Sequence, residues 1–523
     1  MTAPLPAAGA AGTPVDGPHR REGRWSRVLR SPELALFALC FGVYAYFFQA
    51  GGWNQNSRFD LVRAVVEQGR LTIDDYVGNT GDYAFFDGHY YCDKAPGLSM
   101  LAVPVYAAVH PFAHGQRPRG RLVHLGAYLS TLAGVALPSA LGGVLLMRTA
   151  VRLGASAAAA AALALSYAFA TLAFPYATLF YAHQLAGGLV IAAFALLVEA
   201  RRAGVATRAR LALAGLLLGL AVASEYPVVL IAGVLGAYAW VAVRPWRRLG
   251  WLAAGAAVPL VALAVYHAAC FGGPFTVPYS AAADPNRHGG LWLGLRWPDP
   301  AILGKVLFST ERGLLHHTPW LALAMPGLFR MLRAREIRLE GLACLAAIAA
   351  GLAFNGSLRG PNDWRGGAGV GTRYLVPWLP FFALATVGLC VPPLAGWARR
   401  PLVRAAGAAV VATLVLVSGA RMFLSTAIRP EIHRVDDPFA VYSELWRRDQ
   451  VAVSTVPFHS GNADPKHAWN LGERMGLEGR ASLWPLAIYS LIVGGWLATT
   501  IRKSNLVDST DRISAPPGLV SSA

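Results

Sequence analysis

Runs of about 18 or more apolar residues recur from about residue 33 to residue 500, separated by short polar stretches rich in arginine. An α-helix of about 20 apolar residues crosses the hydrocarbon core of a bilayer, and it satisfies its own backbone there. The pattern therefore predicts an all-α polytopic membrane protein with about twelve spans. The first is "PELALFALCFGVYAYFFQAGG". The others fall near 123–147, 156–178, 183–199, 211–225, 227–243, 250–270, 318–330, 340–356, 374–392, 405–425 and 483–500.

Sidedness follows from the arginines. Short loops rich in Lys and Arg stay cytoplasmic. Arg20, Arg21, Arg24, Arg27 and Arg30 precede the first span, so the N-terminus is inside. The turns "RTAVRLG", "EARRAGVATRAR", "RPWRRLG", "RMLRAREIR", "WARRPLVR" and "IRKS" then all face inward, and both termini are cytoplasmic. One segment resists: "LSMLAVPVYAAVHPFA", residues 98–113, is apolar but short and holds Pro104. If it spanned, every later basic turn would face out. It reads instead as a re-entrant or interfacial helix on the outer side. That leaves the basic "GQRPRGR" after it outside, against lipid headgroups or a phosphate.

Four regions result. Residues 1–32 form a basic, disordered cytoplasmic N-terminus. Residues 33–275 form a transmembrane module whose first outer loop is 52–122. Residues 276–503 form a second module with outer loops 276–317, 357–373 and 426–482. Residues 504–523 form a disordered cytoplasmic tail. The expected location is the inner (plasma) membrane, with extracytoplasmic loops carrying short juxtamembrane helices.

Composition agrees: 55% of residues are hydrophobic and 14% charged. The net charge of +18 is spread over inward turns rather than gathered in one patch, so nucleic acid is not the expected partner. Five dispersed cysteines with no C-x-x-C argue against a disulfide framework or a zinc site.

The outer loops hold most of the Trp, Tyr, Asp and His outside the apolar runs. Interfacial belts account for aromatic residues, but not for carboxylates. Asp60 follows the first span and is placed to act as a general base on an acceptor hydroxyl. Equally, it could pair with Arg58 or Arg63 on a helical surface. Lys94 in "CDKAPG" is a compact cation suited to phosphate, its turn set by Pro96 and Gly97; the plainer reading is an interfacial lysine. Tyr91 and Asp93 precede it as candidates for substrate contact, with Arg58. Asp74, Asp75, Asp82 and Asp87 suit a divalent metal, sugar hydroxyls or plain solvation. His183 opens a span in "LFYAHQL", where it can meet a phosphate headgroup or bond to backbone. Glu225 interrupts two apolar runs, and an acid there requires a partner or a polar cavity. Arg312, His316, His317, Arg365 and Arg373 add outward cations, with His317 a substrate candidate. Arg373 follows the Gly-rich "GGAGVGT", whose N–H groups are free to face an anion. No Walker, G-x-G-x-x-G, H-E-x-x-H or G-x-S-x-G motif occurs.

Asp60 after the first span, the loop with "DKAPG", the polar start at His183 and "GTRYLVPWLP" together resemble the GT-C membrane glycosyltransferases, nearest the protein mannosyltransferase (family 39) and aminoarabinose transferase branch. The likeness covers about residues 33–275 and, beyond them, "RGLLHHTPW" and "GTRYLVPWLP". It implies a GT-C fold and a polyprenyl-phosphate sugar donor. It also implies transfer on the extracytoplasmic side to a glycan, lipid or protein. Asp60 matches the catalytic Asp of that family, and Lys94 its phosphate-binding Lys. Arg373 and His183 are assigned to the same phosphate. Two positions depart: His183 stands where an acidic residue often opens the fourth span, and Leu61 where many members carry Glu. These leave the acceptor and any metal open. A transporter or flippase of lipid-linked sugars is the rival reading. It requires mid-membrane ionisable groups and paired repeats, and the sequence displays neither. A non-catalytic scaffold gives no reason to gather Asp60, Lys94 and His183 on one side.

Overall fold

The structure is a computed structural model that describes residues 31–113, 121–281, 295–358, 364–390, 400–432, 435–454 and 468–514. Among the described residues, seven helices are long and apolar enough to cross a membrane: Val123–Arg152, Ala182–Arg202, Trp246–Phe271, Arg338–Ser357, Arg373–Cys390, Pro401–Ile428 and Gly479–Lys503. Four shorter apolar helices, Pro32–Ala45, Gly97–Phe112, Ala157–Phe169 and Tyr226–Ala242, accompany them. The molecule is an all-α membrane protein. The count of twelve spans is not reached on length and composition, and local chemistry explains the shortfall. The segment expected near 374–392 is one of the seven, although it starts as a 3-10 turn, Arg373–Trp378, and ends as another, Thr386–Cys390. Pro377 and Pro380 lack the N–H that an α-helical ladder needs there. The one expected near 318–330 likewise opens as a 3-10 turn at Pro319–Leu323. The last helix, Trp484–Ser514, runs past the boundary expected at Lys503; the sequence has no glycine or proline to stop it between there and Pro516. Residues 1–30 and 114–120, with most of "GQRPRGR", lie outside the described residues.

The first helix stops at Ala45 because the chain turns into a strand, β1 (Phe47–Gln49). It pairs antiparallel with β4 (Ala468–Asn470), Phe47 opposite Asn470. The beginning of the chain is thus tied to the last outer loop. Tyr46 Oη donates to the Ser482 carbonyl at 2.6 Å, and the first and last helices pack side by side. A second ribbon, β2 (Tyr83–Phe86) with β3 (His89–Cys92), projects from the first outer loop. Its turn is Asp87-Gly88, both at positive φ (50° and 81°), as a two-residue hairpin requires.

Polar groups divide between the two ends of the long helices. Ala182–Arg202 carries His183 in its first turn and Arg201 and Arg202 in its last, about 27 Å apart at 1.5 Å per residue. At the arginine end, Arg201 Nη1 lies 2.7 Å from Glu340 Oε1, Tyr238 Oη donates to the same oxygen at 3.0 Å, and Arg152 meets Glu199 at 3.1 Å. The opposite end carries the candidate chemistry.

Candidate active site

Asp60 does not lie in a loop. It belongs to a helix, Trp53–Arg63, of low hydrophobicity and almost wholly buried. Three of its polar residues reach three different partners. Gln55 Nε2 donates to Glu431 at 3.4 Å. Arg58 reaches Glu225 (Nη2 to Oε1, 2.8 Å). Asp60 Oδ1 accepts from Asn79 Nδ2 at 3.1 Å. At about 100° per residue, positions 58 and 60 point roughly 200° apart. The contacts agree: Arg58 shares a face with Asn54, to which its Nε donates at 3.1 Å, and Asp60 shares a face with Asn56, which donates to the Asn79 carbonyl at 2.8 Å.

The two arginines that could have claimed Asp60 are engaged with other acids. Arg63 is bonded to Glu67 at 2.8 Å, and Tyr106 and Tyr76 donate to the same carboxylate at 2.7 and 3.0 Å. Arg58 binds Glu225 and, through Nη1, the Ala95 carbonyl at 2.9 Å. Glu225 also lies 3.3 Å from His183 Nδ1. The partner required for an acid between two apolar runs is therefore a buried Arg–Glu–His group. His183 Nε2 is buried without a hydrogen-bond partner, among the rings of Tyr176, Tyr181 and Tyr374, whose centroids lie 6.0, 5.9 and 5.8 Å away.

Lys94 is buried between two carboxylates, 2.8 Å from Asp93 and 3.1 Å from Asp82. Burial alone would lower its pKa, but the two acids outweigh burial and hold it above the usual lysine range. Asp93 moves up as well, because burial and then Asp82 work against its ionisation more than Lys94 favours it. Gly97 brings this turn against the end of the helix before Glu225. A side chain there would meet Ser224 Oγ at 2.5 Å and the Ala223 carbonyl at 2.7 Å.

Lys94, Asp93, Arg58, Glu225 and His183 form one connected region, and Arg373 borders it. Its guanidinium lies 5.6 Å from the Tyr181 ring and 5.3 Å from the Tyr374 ring. Asp60 occupies the opposite face of the helix that carries Arg58. Tyr91 and His317 stand apart. Tyr91 packs on Phe271 at 5.3 Å. His317 is fully buried, its Nδ1 2.9 Å from the Gly313 carbonyl and its ring 4.8 Å from Phe439, and burial pushes its pKa down to about 3. Of the remaining first-loop acids, Asp74 binds His89 and the Tyr90 amide, Asp75 accepts from Gln68, and Asp87 shapes the hairpin turn. Among the described residues no group of three or more His, Cys, Asp or Glu gathers as a metal site.

Sequence reasoning missed Glu431 and Asn79. Glu431 is buried, accepting from Gln49 at 3.0 Å and from Tyr181 Oη at 3.1 Å. No spacing links residue 431 to residue 49; only the β1–β4 pairing region brings them together.

No protein-family model matches the chain, and no curated protein sequence does. Among solved structures it is similar to ArnT from Cupriavidus metallidurans, determined in the apo state and bound to undecaprenyl phosphate. The match covers 91% of this chain and 76% of that one, at 18% identity and a TM-score of 0.49. It is also similar to the oligosaccharyltransferase AglB from Archaeoglobus fulgidus, determined with an inhibitory peptide and a dolichol-phosphate. That match covers 84% of this chain and 61% of AglB, at 11% identity and a TM-score of 0.45.

Proposed function

We propose that this chain is an integral membrane glycosyltransferase. It takes a sugar from a polyprenyl-phosphate donor and passes it to a glycan, lipid or protein acceptor at the extracytoplasmic face. One observation carries the reading. A short buried helix presents a carboxylate, Asp60, on one face and a cation, Arg58, on another, beside the ends of long apolar helices where Lys94, His183 and Arg373 also lie. A membrane-anchored phosphate donor and a soluble or lipid acceptor meet at such a boundary.

In this scheme Asp60 takes the proton from the acceptor hydroxyl as that oxygen bonds to the anomeric carbon. The bond from that carbon to the phosphate oxygen breaks, and its electron pair leaves with the polyprenyl phosphate. Asn79 holds Asp60 in position. Cations nearby offset the charge growing on the leaving group, the kind of fixed electrostatic support that acts most strongly in a water-poor site. Lys94, His183 and Arg373 are the residues assigned to that phosphate, and Arg58, Asp93 and Glu225 hold them and the substrate in place. Tyr91 and His317, each packed on a phenylalanine, have no part in the scheme.

Asp60→Asn keeps the shape and cannot accept the proton. Single-turnover transfer from a polyprenyl-phosphate sugar should slow by about 10²–10⁴-fold, with donor affinity little changed, in protein checked for folding. A variant that retains nearly full rate removes Asp60 as the base.

A further inference from the structure

Beyond Arg63 the helix that carries Asp60 continues as a wider π-turn, Ala64–Gln68, closed by Gly69 at φ 65°. Such i→i+5 turns are rare inside helices and frequent at functional sites. Residues 60 and 67, seven positions apart, would share one face of an uninterrupted α-helix. The wider turn shifts Glu67 off that face. Its carboxylate meets Arg63 at 2.8 Å and accepts from Tyr76 Oη at 3.0 Å and from Tyr106 Oη at 2.7 Å. Burial alone would raise the Glu67 pKa, but Arg63 and the two tyrosines prevail and lower it.

Tyr76 begins a short segment that runs back along the helix. The Arg63 guanidinium lies 4.3 Å from the centre of its ring, while Glu67 takes its hydroxyl. The Asn79 amide donates to the Tyr76 carbonyl at 3.2 Å, which folds 76–79 into one tight turn. The Asn79 carbonyl accepts from Asn56 at 2.8 Å, and Thr80 Oγ1 donates to the Trp53 carbonyl at 2.9 Å. Held at both ends, Asn79 donates Nδ2 to Asp60 at 3.1 Å. Farther along, Asp82 reaches Lys94 at 3.1 Å. One strap thus touches both the candidate base and the candidate phosphate cation.

We propose that Glu67 is a positioning residue for Asp60. It anchors Tyr76, and through the strap at 76–80 it sets the angle at which Asn79 supports the Asp60 carboxylate. The proposal rests on the reading of Asp60 as the base of a transferase; the anchor itself does not. A general base must reach the acceptor hydroxyl in a defined geometry, and a misplacement of about 1 Å caused far from the chemistry can cost about a hundredfold. An N–H held on one carboxylate oxygen fixes that geometry and favours the ionised form. Asn79 can do this only from a fixed backbone, and the Tyr76 hydroxyl on Glu67 supplies the fixed point.

The test uses full-length protein in lipid nanodiscs. Single-turnover transfer is followed from undecaprenyl-phosphate hexoses and pentoses across pH, binding of undecaprenyl phosphate is measured beside it, and amide exchange is read over residues 76–80. Tyr76→Phe keeps the ring beside Arg63 and loses only the bond to Glu67. It should slow the chemical step about tenfold and leave undecaprenyl phosphate binding unchanged. The acid limb of the rate profile should move to higher pH, as Asn79→Ala should move it further, because each weakens support for the ionised carboxylate. Glu67→Gln should act in the same direction. In an Asn79→Ala background, Tyr76→Phe should slow transfer by less than about twofold more, since residues acting through one contact are not additive. Protection of the 76–80 amides should fall in both Tyr76→Phe and Glu67→Gln. A Tyr76→Phe protein with the wild-type rate and pH profile overturns the positioning role and spares the transferase. Full additivity with Asn79→Ala does the same, because the strap would then support the fold alone. Unchanged amide protection in Glu67→Gln overturns the anchor whatever the activity. Wild type that transfers no sugar, with protection lost in the variants as expected, keeps the anchor and removes the transferase reading.

Discussion

Lys94 is the residue whose surroundings most change its meaning. As an interfacial lysine it would be dispensable to the fold. Wedged between Asp93 and Asp82, it pairs with both buried acids and makes them tolerable at that spot. Lys94→Ala should therefore cost about 3–5 kcal/mol, the usual result of breaking a buried ion pair from one side. Adding Asp93→Asn should recover part of that loss in thermal melting. No recovery would mean that the lysine acts through packing alone. The same group has a pH signature. The Asp93 pKa is raised above its ordinary 3.8 in the fold. Its contribution to stability is then fully present below that value and is lost as pH rises through the raised one. Lys94 is raised too, so its contribution holds until pH climbs past the ordinary 10.5. Asp93→Asn should flatten the acidic part of the stability curve and also shrink the alkaline part, because Asp93 is one of the two acids that raise Lys94.

At the scale of elements, the β2–β3 ribbon and the turn before Gly97 determine whether the first outer loop is a wall or a coil. Asp74 clamps the ribbon by accepting from the Tyr90 amide at 2.7 Å and meeting His89 at 2.8 Å. Its pKa is lowered; burial alone would raise it, but the Tyr90 amide and His89 prevail. That support is present above the ordinary 3.8 and is lost as pH falls through the lowered value. The protection factor of the Tyr90 amide, corrected for intrinsic exchange at each pH, should fall on acidification, and Asp74→Asn should show weakened protection already at neutral pH. Unchanged protection in that variant would remove the clamp. Gly97→Val should force the Lys94 turn away from Ser224 and so separate Arg58 from Glu225. The variant should bind a polyprenyl-phosphate donor more weakly and still insert in the membrane. Normal donor affinity would show that the close approach is incidental.

Across the whole molecule, the decisive quantity is sidedness. Basic ion pairs occupy the end of the helices where Arg201 meets Glu340, and the candidate site occupies the other. Cysteine at Gly88 in the ribbon or at Glu444 in the helix Pro438–Arg447 should react with an impermeant thiol reagent from outside. Cysteine at Arg202 should react only after the cytoplasmic face is opened. The reverse pattern would overturn the topology and the proposed function with it. The dispersion of short helices also has a consequence here. With seven helices long enough by themselves among the described residues, the shorter ones depend on neighbours to bury their ends, as the strand pairing after Ala45 illustrates.

The order of apolar runs and arginine-rich turns was legible directly in the chain, because lipid imposes one backbone solution on an apolar run. So was the gathering of polar groups in the first outer loop, and the need of Glu225 for a partner. "FDGH" held the hairpin turn in plain view, since Asp-Gly between alternating aromatics is its local chemistry. What local pattern could not contain is which acid meets which base. Arg58 and Glu225 are far apart in sequence, as are Gln49 and Glu431, and no periodicity relates them. Those pairings depend on how helices cross and on where Gly97 lets two segments touch. The surroundings of each arginine are likewise a property of the packed molecule: a sequence records them alike, and only tertiary structure puts Arg58 against Glu225 and Arg373 beside the rings of Tyr181 and Tyr374.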